Sequence, residues 1–338
     1  MSDETLKTLF HPFERELIAA PGKGERWLLS GAQPGFILPD AFVAELICIQ
    51  RFRPAFLMLE RQGAHVLAEL PAGETFDGVL ILLGRYREDN IRRLRDAALV
   101  VRTGGTVVVA GGKTDGVDPL RKKLRGAFPD LQHAAKHHGV TFWFDVPEKG
   151  VGELLPRPAD PIVRDGMTIP SGIFSDDGPD PASVLLANAF DGRLSGAVAD
   201  FGAGWGYLGA EVLTRCPQVA SLASVEADRL ALEACRANLG LLAGSRSLTF
   251  YWLDLTAENP GTRFDWIVMN PPFHDGRAAR PQIGAGFIET ANRSLKPGGR
   301  LLMVANRNLP YEAALEAKFA KVVKLAEDGG YKLFEAIR

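Results

Sequence analysis

Cysteine is scarce in this chain: Cys48, Cys216 and Cys235 are three among 338 residues, far apart and with no Cys-x-x-Cys pair. That argues against a disulfide framework or a thiolate metal cluster and for reduced thiols in a reducing compartment. An excess of charge of one sign is also lacking. The formal net charge is −2, so nothing attracts nucleic acid globally, and any such binding needs a local patch. No apolar run approaches the roughly 20 residues that cross a bilayer. Met1 to Glu14 is polar and carries acids where a signal peptide would be apolar. A soluble cytoplasmic protein without a membrane partner is expected. His137-His138 have no carboxylate or thiol at ligand spacing, so no metal is expected either. What remains, 46% hydrophobic and 24% charged residues, is an ordinary globular composition, long enough for two full-sized cores.

Helical and strand signals alternate along residues 1–150. Leu6 to Leu17 reads as an amphipathic helix, Arg26 to Leu29 and Ala55 to Leu59 as short strands. Val79 to Leu83 is an apolar run, Asn90 to Val100 a helix, and Thr106 to Ala110 a further strand. Helix-sized pieces between short apolar runs predict a parallel sheet. Residues 151–165, rich in Pro, Gly and charge, read as a linker, after which the alternation resumes. The halves repeat each other. Phe76-Asp77-Gly78-Val79-Leu80-Ile81 parallels Phe264-Asp265-Trp266-Ile267-Val268-Met269, 188 residues on (76 to 264). A Gly-Gly turn and apolar strand follow each, Gly104-Gly105 matching Gly298-Gly299 at an offset of 194 (104 to 298). Matched features in the same order suggest a duplicated domain. Any doubly wound sheet repeats strand, helix and glycine turn, which leaves convergence as the alternative.

The second half carries the chemistry. The strand Trp266 to Met269 ends in Asn270-Pro271-Pro272-Phe273-His274. Prolines cannot continue a ladder and push the preceding residue toward extended backbone, so Asn270 is expected at the strand's carboxyl end. Ligands of open α/β sheets bind at that edge. The Asn270 side-chain oxygen and the Pro271 carbonyl would then form a cluster of acceptors beside the Phe273 ring, suited to a flat group bearing an NH2. Upstream, Asp200-Phe201-Gly202-Ala203-Gly204-Trp205-Gly206 is a strand end, a glycine turn and a helix start. Glu226 follows Gly206 by 20 residues (206 to 226) at the end of the next apolar run, the spacing of a carboxylate that accepts ribose hydroxyls. Gly204-x-Gly206-x-x-Gly209 also satisfies the dinucleotide fingerprint, which keeps an NAD-dependent oxidoreductase in view. Against it, Asp200 would crowd a pyrophosphate, and the Asn-Pro-Pro-Phe cluster has no part in hydride transfer.

Taken together, these stretches resemble the class I S-adenosylmethionine (SAM) methyltransferases, and more closely the ribosomal RNA guanine-N2 methyltransferases of the RsmC type, which have two tandem methyltransferase-like domains. Pro170-Ser171-Gly172-Ile173-Phe174-Ser175, the glycine loop, Trp252-Leu253-Asp254, the Asn270 run, and Val304-Ala305-Asn306 through Leu309-Pro310-Tyr311 carry the resemblance in order. It spans residues 166–338 closely and 1–150 loosely. It implies an α/β fold of two tandem Rossmann-like (class I methyltransferase) domains, the first (1–150) degenerate and the second (166–338) catalytic. By position it implies that Asp200, Gly202, Gly204 and Gly206 hold the methionine part of SAM, Glu226 the ribose and Asp254 the adenine amine. Asn270, Pro271, Pro272 and Phe273 would do the chemistry on ribosomal RNA or a ribosomal subunit.

Plainer alternatives stand beside these. Asp254 would also serve as a helix N-cap, with Thr256-Ala257-Glu258 following. Asp180-Pro181 reads as an N-cap with proline at the first helical position. His274 would touch substrate or merely be solvated. Arg121, Lys122, Lys123 and Arg125 form either a solvated helix face or, with Arg92, Arg93, Arg95, Lys136 and the histidines, a phosphate-contacting patch. Methylation of a protein glutamine or of adenine N6, and a non-catalytic RNA-binding assembly factor, are the remaining alternatives.

Overall fold

The computed structural model describes residues 3–272, 274–275, 278–279 and 281–338. By contacts the chain divides into two compact units, Met1–Asp160 and Pro161–Arg338. The first contains α1 (Asp3–Glu14), β1 (Arg26–Ser30), β2 (Glu45–Ile49), α2 (Arg53–Arg61), β3 (His65–Leu67) and β4 (Phe76–Leu82). It continues with α3 (Arg87–Leu99), β5 (Val101–Gly112), α4 (Val117–Leu124), β6 (Gln132–Lys136) and β7 (Gly139–Asp145). Its sheet has the order β3-β2-β1-β4-β5-β7-β6, parallel except that β7 runs antiparallel to β5 and to β6. Val151 and Leu155, inside the stretch expected as a linker, are buried in this unit's core.

The second unit opens with a hairpin, β8 (Ile162–Arg164) and β9 (Met167–Ile169), and α5 (Pro181–Ala187). Then come β10 (Gly196–Phe201), α6 (Tyr207–Arg215), β11 (Val219–Glu226), α7 (Arg229–Gly240), β12 (Ser247–Trp252) and β13 (Phe264–Met269). After the short β14 (His274–Asp275) and β15 (Ala278–Ala279) follow α8 (Pro281–Ser294), β16 (Leu295–Asn306), α9 (Tyr311–Glu316), β17 (Lys321–Asp328) and β18 (Tyr331–Ile337). The sheet order β12-β11-β10-β13-β16-β18-β17 repeats the first strand for strand. Alternate residues of the central strands enter two cores. Val198, Val268 and Leu302 face α5, α6 and α7, while Phe201, Ile267 and Leu301 face α8 and α9. Burial on both faces is why these strands read as unbroken apolar runs.

The duplication extends to individual hydrogen bonds. Asp77 Oδ2 accepts the Arg26 amide at 2.8 Å, and Asp265 Oδ2 accepts the Ala197 amide at 2.8 Å. Each carboxylate also meets a cation, Arg102 Nε at 2.7 Å and Lys296 Nζ at 2.9 Å. Trp27 lies beside Gly78, whose missing side chain makes room for the indole; in the second unit Val198 lies beside Trp266. The tryptophan has changed strands while the pair keeps one large side chain.

Two sequence expectations differ from the structure. Ala55 to Leu59 is not a strand but lies within α2, where Pro54 occupies the first turn and Ala55, Phe56 and Leu59 make one buried face. A short apolar run has no period long enough to separate strand from helix. The first helix stops at Glu14, short of the exposed Leu17.

Gly105 and Gly299 close the equivalent tight turns. An added Cβ would sit 2.4 Å from the Asp77 carbonyl oxygen in one and 2.9 Å from the Lys296 carbonyl oxygen in the other. Gly105→Ala should therefore destabilise by about 1–3 kcal/mol, with Gly299→Ala costing less. Denaturant unfolding of the two variants checks the magnitude and the order.

Candidate active site

The chain order of the second sheet reverses between β10 and β13, so a crevice opens outside their carboxyl ends. The glycine turn fills one side. Gly202, Gly204 and Gly206 have φ of 79°, 54° and 99°, a region closed to most side chains. The Gly202 and Ala203 amides donate to the Val225 carbonyl at the end of β11, at 2.8 and 3.0 Å. A Cβ on Gly202 would lie 3.8 Å from the Asn270 carbonyl oxygen, and one on Gly204 would meet nothing within 4 Å. Turn and strand end are thus adjacent, with open space above Gly204.

Asn270 follows β13 directly. Its Nδ2 donates to Asp180 Oδ2 at 2.8 Å and to Ser183 Oγ at 3.0 Å. A carboxylate only accepts, so the amide nitrogen must face Asp180, and both of its N–H groups are engaged. The side-chain oxygen is left as the acceptor of this amide. Asp180 is also the expected N-cap of α5, accepting from the Ser183 amide at 3.1 Å with Pro181 in the first turn. Its contact with Asn270, 90 residues away, has no signal in the sequence. Pro271 is buried and Pro272 exposed. Phe273 lies outside the described residues, as do Arg277 and Arg280; His274 begins β14, and its side chain also lies outside the description.

Two carboxylates lie under the glycine turn. Asp200 is wholly buried; Oδ2 accepts from the Gly209 amide at 3.1 Å, and Oδ1 has no hydrogen-bond partner. Burial pushes its pKa up to about 7, against the Gly209 amide and helped by the charge of Glu226. Glu226 Oε2 accepts from Gly204 N at 2.8 Å, and Oε1 from the amides of Ala227 and Asp228, both at 2.8 Å. Burial raises its pKa too, despite the bonds from the Asp228, Gly204 and Ala227 amides. A buried, half-satisfied acid beneath open backbone suits a ligand that brings positive charge and donors. Asp254 is buried beyond β12; its Oδ1 accepts from Thr256 N at 2.9 Å and Thr256 Oγ1 at 2.6 Å, while Glu258 Oε2 accepts from its amide at 2.9 Å. The bonds are reciprocal in the manner of a capping box but join Asp254 to i+2 and i+4, and they lie in a turn and not at a helix start.

Residues that the sequence pattern did not single out support the turn. Trp205 is buried and donates Nε1 to the Ser175 carbonyl at 3.1 Å. Asn238 is buried on α7, and its Nδ2 donates to the carbonyls of Trp205 at 2.9 Å and Thr168 at 3.1 Å. Together they tie the segment after β9 to the glycine loop.

The same edge of the first unit is closed. The Gly31 and Ala32 amides donate to the Ile49 carbonyl at 3.0 and 3.3 Å, as Gly202 and Ala203 do to Val225. Strand register then sets Leu29 in the place of Asp200, Gln50 in that of Glu226 and Leu82 in that of Asn270. The Arg93 guanidinium lies where a Cβ on Gly31 would be and donates to the Leu82 carbonyl. Asp89 holds it at 2.8 Å and also pairs with Arg51 at 2.6 Å. Burial opposes ionisation of Asp89, but Arg93, Arg51 and Arg92 outweigh it and keep its carboxyl below the usual range. Of the expected basic patch, Arg121 is tied to Asp118 at 3.0 Å, and Arg95 donates to the carbonyls of Gly152 and Leu155 at 2.8 and 3.2 Å. Lys122, Lys123 and Arg125 are exposed.

Comparison with known proteins agrees with this geometry. The family model of the methyltransferase small domain matches residues 166–335. The ribosomal RNA small subunit methyltransferase C of Shewanella pealeana is 30% identical over 282 residues, covering 81% of this chain and 81% of that protein. That of Shewanella loihica is 30% identical over 282 residues, again with 81% of each covered. Among solved structures, the T. thermophilus 16S rRNA N2 G1207 methyltransferase (RsmC), in complex with AdoMet and guanosine, superposes with a TM-score of 0.78 at 26% identity, over 99% of this chain and 92% of that one. The chain belongs to the ribosomal RNA small subunit methyltransferase C family.

Proposed function

We propose that this protein methylates the exocyclic N2 amine of a guanine in ribosomal RNA, with SAM as donor and Asn270 as the residue that orients the amine. The observation that supports the role of Asn270 is its amide nitrogen, held by Asp180 and Ser183, which leaves Oδ1 to accept from a substrate amine. SAM supplies an electrophilic methyl group on a sulfonium centre. Gly202, Gly204 and Gly206 would let backbone approach its methionine part, with Asp200 beneath; Glu226 would take the ribose and Asp254 the adenine amine.

The guanine amine is a poor nucleophile, because its lone pair is delocalised into the ring. It is also not basic, so no strong general base has to ionise it first. Asn270 Oδ1 and the Pro271 carbonyl, each accepting one N–H, would rotate the amine and free the lone pair. Phe273 would stack on the base, a contact worth about 1–3 kcal/mol. Positioning supplies the rest, up to roughly 7–11 kcal/mol for well-oriented partners. The proton released passes to water. A base inside a duplex cannot enter such a crevice, so the target must be unpaired or flipped out. Lys122, Lys123 and Arg125 of the first unit are proposed as phosphate contacts, and ribosomes as the substrate place the reaction in the cytoplasm.

Methyl-label transfer to small ribosomal subunits lacking the modification should yield N2-methylguanosine. N6-methyladenosine, or label in protein, would overturn the assignment. Asn270→Ala should abolish turnover while SAM affinity stays within a few-fold; Ser183→Ala, which removes one of two holds on the amide, should lower kcat about tenfold without moving the KM for SAM. Calorimetry of the full chain should find one SAM site, since Arg93 fills the first crevice.

Asp200 gives a pH signature. Its folded pKa of about 7 exceeds the unfolded value, near 3.9. The native state therefore holds the extra proton, and stability from this group is full below about pH 4 and lost as pH rises through about 7. Asp200→Asn should flatten that part of the ligand-free stability profile: the variant should gain on wild type between pH 4 and 7, with a constant difference above. It should also bind SAM more weakly.

A further inference from the structure

Both seven-stranded sheets finish in an antiparallel hairpin closed by two residues. In the second unit Asp328 pairs with Tyr331 across Gly329 and Gly330, whose φ are 56° and 88°. In the first, Lys136 pairs with Gly139 across His137 and His138, at φ 51° and 58°. A two-residue loop with positive φ at both positions is a type I′ turn, which favours Asn-Gly or Gly-Gly because a side chain is penalised there. The duplicated fold thus imposes one backbone shape twice. One copy meets it with two glycines and the other with two histidines held in strain, a condition that persists where the surroundings enforce it and a function uses it.

The turn's position supports a use. Gly139 and Val140 pair with Gly112 and Gly111, the last residues of β5, so the tip lies at the carboxyl edge of the parallel strands, where open α/β sheets bind ligands. Helix α1 packs against it: the Thr8 hydroxyl shares its one proton between the carbonyls of Glu4 at 2.8 Å and Lys136 at 3.0 Å, and the His11 ring meets that of His137 edge-on with centroids 6.2 Å apart. His133, Lys136 and His138 are exposed. Gln132 to Gly139 contains no acid; Glu14 and Arg15 act on His11, which faces the turn, and Asp115 accepts from the Gly112 amide at 2.9 Å on the strand end paired with Gly139. Asp328 stands at the equivalent tip of the second unit, where two glycines replace the histidines and the neighbouring cations are paired, Lys324 with Glu327 at 2.6 Å and Lys332 with Glu312 at 2.5 Å.

We infer that the His137–His138 turn is a contact of the first unit with the phosphates of its RNA substrate, imidazole N–H groups and the Lys136 ammonium donating to phosphate oxygens. This rests on the proposal that the substrate is ribosomal RNA. Further along the same sheet edge the crevice between β1 and β4 is filled by Arg93, so the edge has exposed donors and no open pocket there. The hairpin register fixes the tip, and α1 prevents it from relaxing.

His138→Gly tests the strain and the contact at once. It should raise the melting temperature of the full chain by about 1–4 °C and weaken binding to small ribosomal subunits, read by filter retention, about three- to tenfold. SAM affinity and single-turnover methyl transfer at saturating subunit should not change. His137→Asn combined with His138→Gly, the favoured I′ pair, should give the same signs. Lys136→Gln should reduce the log–log salt slope of subunit binding by about 0.7–0.9. A stabilised His138→Gly variant that binds subunits as wild type does would overturn the inference, as would a variant that gains no stability. Failure of the wild type to methylate guanine would strike the proposed reaction instead and leave the binding comparison to be read on its own.

Discussion

The site depends on one hydrogen-bonded arrangement: the Asn270 amide, placed at the end of β13 and fixed by Asp180 Oδ2 and Ser183 Oγ at 2.8 and 3.0 Å. Two prolines after Asn270 stop the strand, and two acceptors on α5 consume the amide's donors. An unheld asparagine at a strand end rotates and presents donor or acceptor alike. Held this way it presents only an acceptor, and the chemistry of an NH2 group needs only that. Asp180 serves both the helix and the site, since the oxygen that caps α5 also holds Asn270. The geometry of the helix start is thereby transmitted to Asn270, the proposed reacting centre.

The two units show which parts of this architecture are structural and which are chemical. The Asp77 and Asp265 bonds, the amide pairs onto Ile49 and Val225, and the sheet order are common to both. The differences gather at the carboxyl edge, where Leu29, Gln50 and Leu82 stand in place of Asp200, Glu226 and Asn270. Burying Asp200 with one oxygen unpaired is unfavourable for the ligand-free fold, and the first unit has a leucine there. Its crevice is instead closed by a guanidinium paired with Asp89. Under the proposed function, a cationic ligand would offset this cost in the second unit on binding.

Much of this is legible in the sequence where the signal is local. The paired Phe-Asp runs, the Gly-Gly turns and the 20-residue interval from Gly206 to Glu226 are short-range patterns, and they predict the duplicated α/β fold and the two sides of the crevice. Ala55 to Leu59 misleads because five apolar residues have no period, and Pro54 becomes a helix start only where the flanking chain allows it. The pairing of Asn270 with Asp180 spans 90 residues, and the closing of the first crevice by Arg93 depends on where α3 packs. Neither has a spacing that a linear pattern records. Arg121 reads as part of an exposed basic run, although Asp118 three residues earlier is the partner that helical spacing offers it.

The central claim is that Asp180 and Ser183 act on the reaction through Asn270. A double-mutant cycle in single-turnover methyl transfer, with Ser183→Ala and Asn270→Ala alone and together, tests it most directly. The account predicts that the loss caused by Ser183→Ala in the wild-type background disappears once Asn270 is alanine. An equal loss in both backgrounds would contradict it and assign Ser183 a role independent of the amide.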